Sequence, residues 1–423
     1  MNSLSSSNIK GIFRSLRNKN YRLFFYGQGI SLIGTWMQSV ALNWLLFRLT
    51  GSSLMLGLVT FAGQFPIFLL APLAGVIGDR FDRRKILLVV QIAAMLQAFL
   101  LAFVTFGEII KAWHIICLAF ILGVINSFEM PVRHAIVFDL LDDKRDLANA
   151  IALNSSLFNG ARLIGPALAG IIVAFKGEAI CFFVNALSYF ATILAFSLMK
   201  LINGNSDRNK SDLIIEIRDG FNYARGQSPV RELLLLVSLI SFFALTFPVL
   251  LPVFASDILH GSSHTFGFLV SSAGAGAFVA TLYLASRKNI NGLVSVIKYS
   301  LFVLSFAFVV FSFSKVMILS MAALFVVGFT SIVVIASCNT ILQSVVDGEK
   351  RSRVMSLYVM AFTATAPLGG FLSGTLSEYI TAPWTIFASG ICCFFIAIFF
   401  LSFLPDVSCD GSSPVRFGSG CES

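Results

Sequence analysis

The chain has 423 residues, of which 57% are hydrophobic and 12% charged, with 44 Phe and a formal net charge of +9. An ordinary soluble domain carries roughly 25% charged residues. Too few polar residues remain to cover the outer faces of so many apolar segments, so the composition excludes a water-soluble globule and makes lipid the solvent. Seven Cys are scattered, with no CxxC or CxxxxH spacing, which argues against a disulfide framework or a metal centre; no metal or cofactor is expected.

The first twenty residues are basic but lack the apolar centre and small-residue cleavage site of a secretory signal, and nothing points to their removal. A helix crosses the hydrocarbon in about twenty residues. Apolar runs of that length fall at 21–47, 53–77, 86–106, 109–138, 147–174, 179–199, 231–254, 266–286, 292–313, 317–342, 354–380 and 383–404. The expected fold is therefore all-α, with twelve transmembrane helices in two six-helix bundles. The expected organisation is an N-terminal bundle over 1–200, a cytoplasmic linker over 201–230, a C-terminal bundle over 231–404 and a disordered cytoplasmic tail over 405–423.

Lys and Arg set the orientation, because they are retained on the cytoplasmic side. With the amino terminus inside, the inner segments hold twenty-four of the 30 basic residues, counting Arg133 among them. The outer segments hold only Arg48, Lys111, Lys176 and Lys315. Both termini are thus expected in the cytoplasm of a cell whose inner membrane the chain spans, and the basic balance requires no nucleic acid. Within the long linker, "LIIEIRDGFNYAR" places apolar residues at helical spacing among charges, as a helix lying on the membrane surface does. "DDKRDLANAIALN" before span five and "DGEKRSRVMSLYV" before span eleven are faint echoes of one another, as duplication of a six-helix unit leaves behind.

Six charges crowd the turn between spans two and three, "GVIGDRFDRRKILLVV". Positive-inside anchoring accounts for some of them. The pattern Gly75, Asp79, Arg80, Arg83, Arg84 also resembles the signature loop of the major facilitator superfamily, with Asp82 where that family commonly has Gly. The resemblance implies that Asp79 braces the inner end of span eleven, near Arg353 and Val354, as a latch that closes the cytoplasmic side. On span five, "NGARLIGPALAG" resembles the antiporter motif of exporters in the same superfamily through Gly160, Gly165, Pro166, Ala169 and Gly170. Pro166 removes an internal hydrogen bond and bends the helix, while the small residues admit a close neighbour; ordinary tight packing needs the same residues. Over almost its whole length the chain is similar to the enterobactin exporter and macrolide-efflux permease branch.

Arg162 lies about fifteen residues into span five, roughly 23 Å from its inner end at 1.5 Å per residue. A charge at that depth is costly and needs a partner inside the bundle. Glu129 on span four reaches a similar depth and is the expected partner in a proton-coupling pair; the competing reading pairs it with Arg133, one turn along its own helix. Gln28, Gln38 and Asn43 on span one, together with Asn339 and Gln343 on span ten, are candidate substrate-binding amides, interleaved on span one with Trp36 and Trp44. Helix–helix hydrogen bonding would use the same groups.

No GxxxxGK[ST], GxSxG or HExxH occurs, so the chain is not expected to be an enzyme, and the expected energy source is an ion gradient, of protons. The reading is a monomeric, proton-driven exporter of a small amphipathic or lipophilic molecule of drug, macrolide or siderophore type, working by alternating access. The alternatives are an importer or lysophospholipid flippase on the same scaffold, or a non-transporting membrane receptor.

Overall fold

The computed structural model describes residues 14–141, 146–199, 213–287, 291–346, 348–403, 407–408 and 416–417. Among them are twelve helices long and apolar enough to cross a membrane. The chain divides into two compact units, Met1–Leu49 with Ala62–Asn209, and Thr50–Phe61 with Lys210–Ser423.

In the first unit a single 3-10 turn, Arg14–Arg17, precedes α1 (Lys19–Thr50). Most of α2 (Ser53–Arg80) follows, then α3 (Arg83–Phe106), α4 (Ala112–Asp139), α5 (Leu147–Lys176) and α6 (Glu178–Leu198). Asp82, the departure from the family's glycine, has a local explanation: its carboxylate caps α3 by accepting from the backbone N–H groups of Arg84 (2.9 Å) and Lys85 (3.4 Å). Gly177, at φ 80°, makes the left-handed turn that separates α5 from α6. Tyr21, Phe24, Leu87, Ile136 and Phe196 pack into one buried cluster. There Tyr21 Oη donates to the Ala150 carbonyl at 2.8 Å, so the ring is buried without stranding its hydroxyl. Ser15 joins the 3-10 turn to α5 by donating to Asn149 Oδ1 from both its backbone N–H (3.0 Å) and its hydroxyl (2.8 Å).

The second unit opens with the linker helix α7 (Leu213–Gly226), followed by α8 (Ser228–Phe243). Pro248 and Pro252 cannot supply the next backbone donors, and the span goes on as a 3-10 turn (Phe247–Leu250), a short turn (Leu251–Val253) and a π turn (Phe254–Ile258). Then come α9 (Ser263–Ser286), α10 (Leu293–Phe313), α11 (Met317–Val345), α12 (Gly348–Ile380) and α13 (Ala382–Phe403). A Cβ on Gly276 of α9 would overlap the Phe325 carbonyl of α11, and one on Gly328 would overlap that of Ala273, so these two helices touch backbone to backbone.

Residues 50–61 group with the second unit because α12 holds them. Glu378 Oε2 accepts from the N–H groups of Ser53 (3.1 Å) and Leu54 (3.3 Å) and from the Ser53 hydroxyl (2.9 Å). A carboxylate from one helix thereby satisfies the open N-terminus of another.

The twelve spans agree with the apolar runs to within a few residues. One difference bears on function. Helix α4 runs to Asp139, so Arg133 is an intrahelical residue with its side chain 12% exposed, rather than part of an inner connection. The tail expected to be disordered carries one two-residue antiparallel pairing, Val407 with Phe417 and Ser408 with Arg416; its other residues from 404 onward lie outside the described residues.

Candidate functional site

The site in the first unit is built around Trp36. Gly165 of α5 sits so close to α1 that an added Cβ would be 2.6 Å from Trp36 Cβ and 3.0 Å from the Ile33 carbonyl oxygen. This close approach is the structural work of the glycine–proline stretch. Gly160, by contrast, faces open space, Pro166 and Gly170 are buried in the same helix, and Pro166 leaves the Arg162 carbonyl without its intrahelical donor. With the helices so near, Phe158 meets the Trp36 ring edge-on at 6.0 Å. The Arg162 guanidinium carbon lies 5.7 Å from the centre of the same ring, in cation–π contact.

Glu129 stands on α4 next to Pro131, which interrupts the backbone ladder at that turn. Its carboxylate accepts from Arg133 at 3.1 Å, and each side chain is only 12% exposed. The expected Glu129–Arg162 pair is therefore corrected. Glu129 is held by Arg133, one turn away on its own helix, while Arg162 has no acidic partner among the described residues and rests on Trp36. The i, i+4 partner wins because both groups are fixed to one rigid rod, so their approach costs no helix displacement.

Trp36, Phe158, Glu129 and Arg133 line a cavity of about 360 Å³, together with Gln28, Gln64, Asn126 and Tyr189 among others; Arg162 stands behind Trp36 and is not part of the lining. The volume suits a small organic ligand, and the mixture of aromatic faces with a few polar groups is that of ligand pockets in general. Gln28 is 2% exposed, and its Oε1 has no hydrogen-bond partner. Thr35 Oγ1 and Tyr189 Oη lie 3.5 Å apart across the wall.

The other candidate amides are placed differently. Gln38 is absorbed into a buried network: Asn185 Nδ2 donates to its Oε1 at 2.8 Å, its Nε2 donates to Gln97 Oε1 at 3.2 Å, and Gln97 Nε2 donates on to the Leu118 carbonyl. Four helices are tied by these amides, which is a packing role. Asn43 Nδ2 donates back to the Ser39 carbonyl, one turn earlier. In the second unit Gln343 Nε2 donates to Asn339 Oδ1 at 2.6 Å along α11. Neither Gln38 nor Asn43 lines the cavity. Arg133, Gln64, Asn126 and Tyr189 were not anticipated as site residues; Asn126 and Arg133 could have been found from their i−3 and i+4 spacing to Glu129.

At the charged turn, Arg83 donates to Asp139 Oδ2 at 2.8 Å, and Arg84 donates to the Phe196 and Ser197 carbonyls, both at 2.6 Å, capping the C-terminus of α6. Arg80 is exposed. Gly75 and Asp79 belong to α2, but the Asp79 side chain is not among what the structure describes, so the expected brace onto span eleven is not described. Arg353 itself is engaged by Asp219 of the linker helix α7 at 2.9 Å.

A family model described as transmembrane secretion effector matches residues 10–417. The Staphyloferrin A transporter of Staphylococcus aureus is 26% identical over 389 residues, covering 90% of this chain and 96% of that protein. Macrolide efflux protein A of Streptococcus pyogenes is 24% identical over 391 residues, covering 90% and 95%. Among solved structures, a bacterial homolog of the human lysosomal transporter Spinster, inward-facing and occupied, superposes with a TM-score of 0.74 at 11% identity, covering 91% of this chain and 96% of the other. Twelve apolar helices, the glycine–proline approach on α5 and a family match over nearly the full length agree: this chain belongs to the transmembrane secretion effector family of major facilitator transporters.

Proposed function

We propose that the protein exports a small amphipathic or lipophilic molecule across the inner membrane by alternating access, driven by protons, with both termini in the cytoplasm. The observation that carries this reading is a cavity lined by polar side chains beside the aromatic rings of Trp36, Phe158 and Tyr189, where Glu129, the one carboxylate among the described lining residues, is paired to Arg133. Relatives named Macrolide efflux protein A and Staphyloferrin A transporter support transport of small molecules, the first of them by efflux. With the pair closed, the charges neutralise one another and the cavity accepts a largely apolar ligand. A proton on Glu129 releases Arg133, and the unpaired guanidinium draws water into the cavity and disfavours that ligand. Proton and substrate thus exclude one another, which is the requirement for exchange. Gly165 and Pro166 keep α5 against α1 during the movement, and Asp79, Arg83, Arg84 and Arg353 act at the inner ends.

The test is accumulation in everted vesicles. Uptake that needs an acidic interior, and that is abolished in Glu129→Gln while abundance stays near normal, is expected. Uptake by intact cells without accumulation in everted vesicles would instead establish an importer.

A further inference from the structure

The cavity's walls specify more about the ligand than its size. Trp36 is pinned from three directions: Gly165 lies beneath its Cβ, the Phe158 ring meets its edge, and the Arg162 guanidinium covers its ring. A large aromatic side chain held this firmly loses little freedom when a second ring stacks on it, and that rigidity is what an aromatic platform needs. Arg162 is half-buried, well inside a membrane-spanning helix, with no acidic partner among the described residues, so contact with Trp36 is the stabilising interaction the structure gives it. On the same wall Gln28, 2% exposed, holds a carboxamide oxygen without a donor. An unsatisfied buried acceptor is costly, and the broad terminal torsion of Gln lets that oxygen turn toward a ligand. Its neighbour in kind, Gln38, has both ends satisfied by protein amides.

We infer that the cavity binds a planar aromatic ligand whose ring stacks on Trp36 and whose O–H or N–H donates to Gln28 Oε1, with Arg162 a positioning residue that holds the Trp36 ring. This rests on the reading of the cavity as the transported molecule's site. A saturated ligand of the same shape would forfeit the stacking, and an aromatic one lacking a donor would leave Gln28 unpaired.

Three probes of one skeleton separate these terms: naphthol, its methyl ether, which has no donor, and decahydronaphthol, which keeps the hydroxyl but has no aromatic ring. Binding is measured by equilibrium dialysis on the full chain in nanodiscs, with empty nanodiscs subtracting partition into lipid. Naphthol should bind about tenfold more tightly than either analogue. Gln28→Leu should bring naphthol and its methyl ether within about twofold while keeping the preference for aromatic over saturated. Trp36→Leu should erase that second preference and Trp36→Phe should keep it. Arg162→Ala should weaken it, and Arg162→Lys should restore it, which a role confined to folding would not produce. Equal binding of the three probes, no binding above empty nanodiscs, or an undiminished donor preference in Gln28→Leu would each overturn the inference. Naphthol uptake into everted vesicles is read separately. Selective binding without uphill uptake leaves this inference standing and sinks the exporter reading, whereas uphill uptake without selectivity does the reverse.

Discussion

Two glycines five residues apart on α5 should respond oppositely to the same substitution. A Cβ at Gly165 would be 2.6 Å from Trp36 Cβ, 3.0 Å from the Ile33 carbonyl oxygen and 3.5 Å from the Met37 nitrogen, whereas one at Gly160 meets nothing within 4 Å. Ordinary carbon contacts lie about 1 Å farther apart than the first of these, so Gly165→Ala must push α1 from α5 by that amount locally. Overpacking of this kind costs about 1–3 kcal/mol. Gly160→Ala carries no such cost and gains helix propensity, up to ~1 kcal/mol. The assay is thermal unfolding of both variants in the same detergent, followed through tryptophan emission, with vesicle uptake measured alongside. Gly165→Ala should melt several degrees below the natural protein and transport less, because the cavity wall at Trp36 moves with α1. Gly160→Ala should melt at or above the natural temperature and transport normally. Equal melting temperatures, or a larger loss at Gly160, would refute the close approach as the function of this motif. Gly165→Leu, with three more carbons than Ala, should fail in transport altogether.

The buried amides offer a second contrast. Gln38→Leu strands Asn185 Nδ2 and Gln97 Oε1 and should cost about 1–3 kcal/mol in unfolding measurements, while Gln28→Leu, which removes an acceptor that has no donor, should be neutral or stabilising. Asp219→Asn should cost less than about 1 kcal/mol, because its ion pair with Arg353 is partly exposed, but should raise amide exchange in α7, read by mass spectrometry. Asp79→Asn should leave abundance and melting unchanged and greatly reduce efflux; unaltered efflux would end the latch role assigned to this turn.

Much of the fold was written in the sequence, because crossing a bilayer imposes a length and an apolarity that no neighbour can alter. The number of spans, their approximate ends, a helix in the linker before α8 and the proline and glycine of α5 were all legible on that basis. What was not legible is which side of each helix faces what. In a soluble helix the polar face is the wet one, but here lipid and protein interior are both apolar, so α1 carries little sidedness to read. Gln28 and Gln38 are ten residues apart and so point roughly 80° away from each other at 3.6 residues per turn. One reaches the cavity and the other a four-helix amide network, and only the packing of α3, α4 and α6 against α1 decides which. The same holds for charge. Depth along the sequence matched Glu129 with Arg162, yet depth is a single coordinate. The azimuth around α5 turns Arg162 onto Trp36, and Glu129 closes on Arg133, whose position one turn along α4 requires no tertiary structure at all.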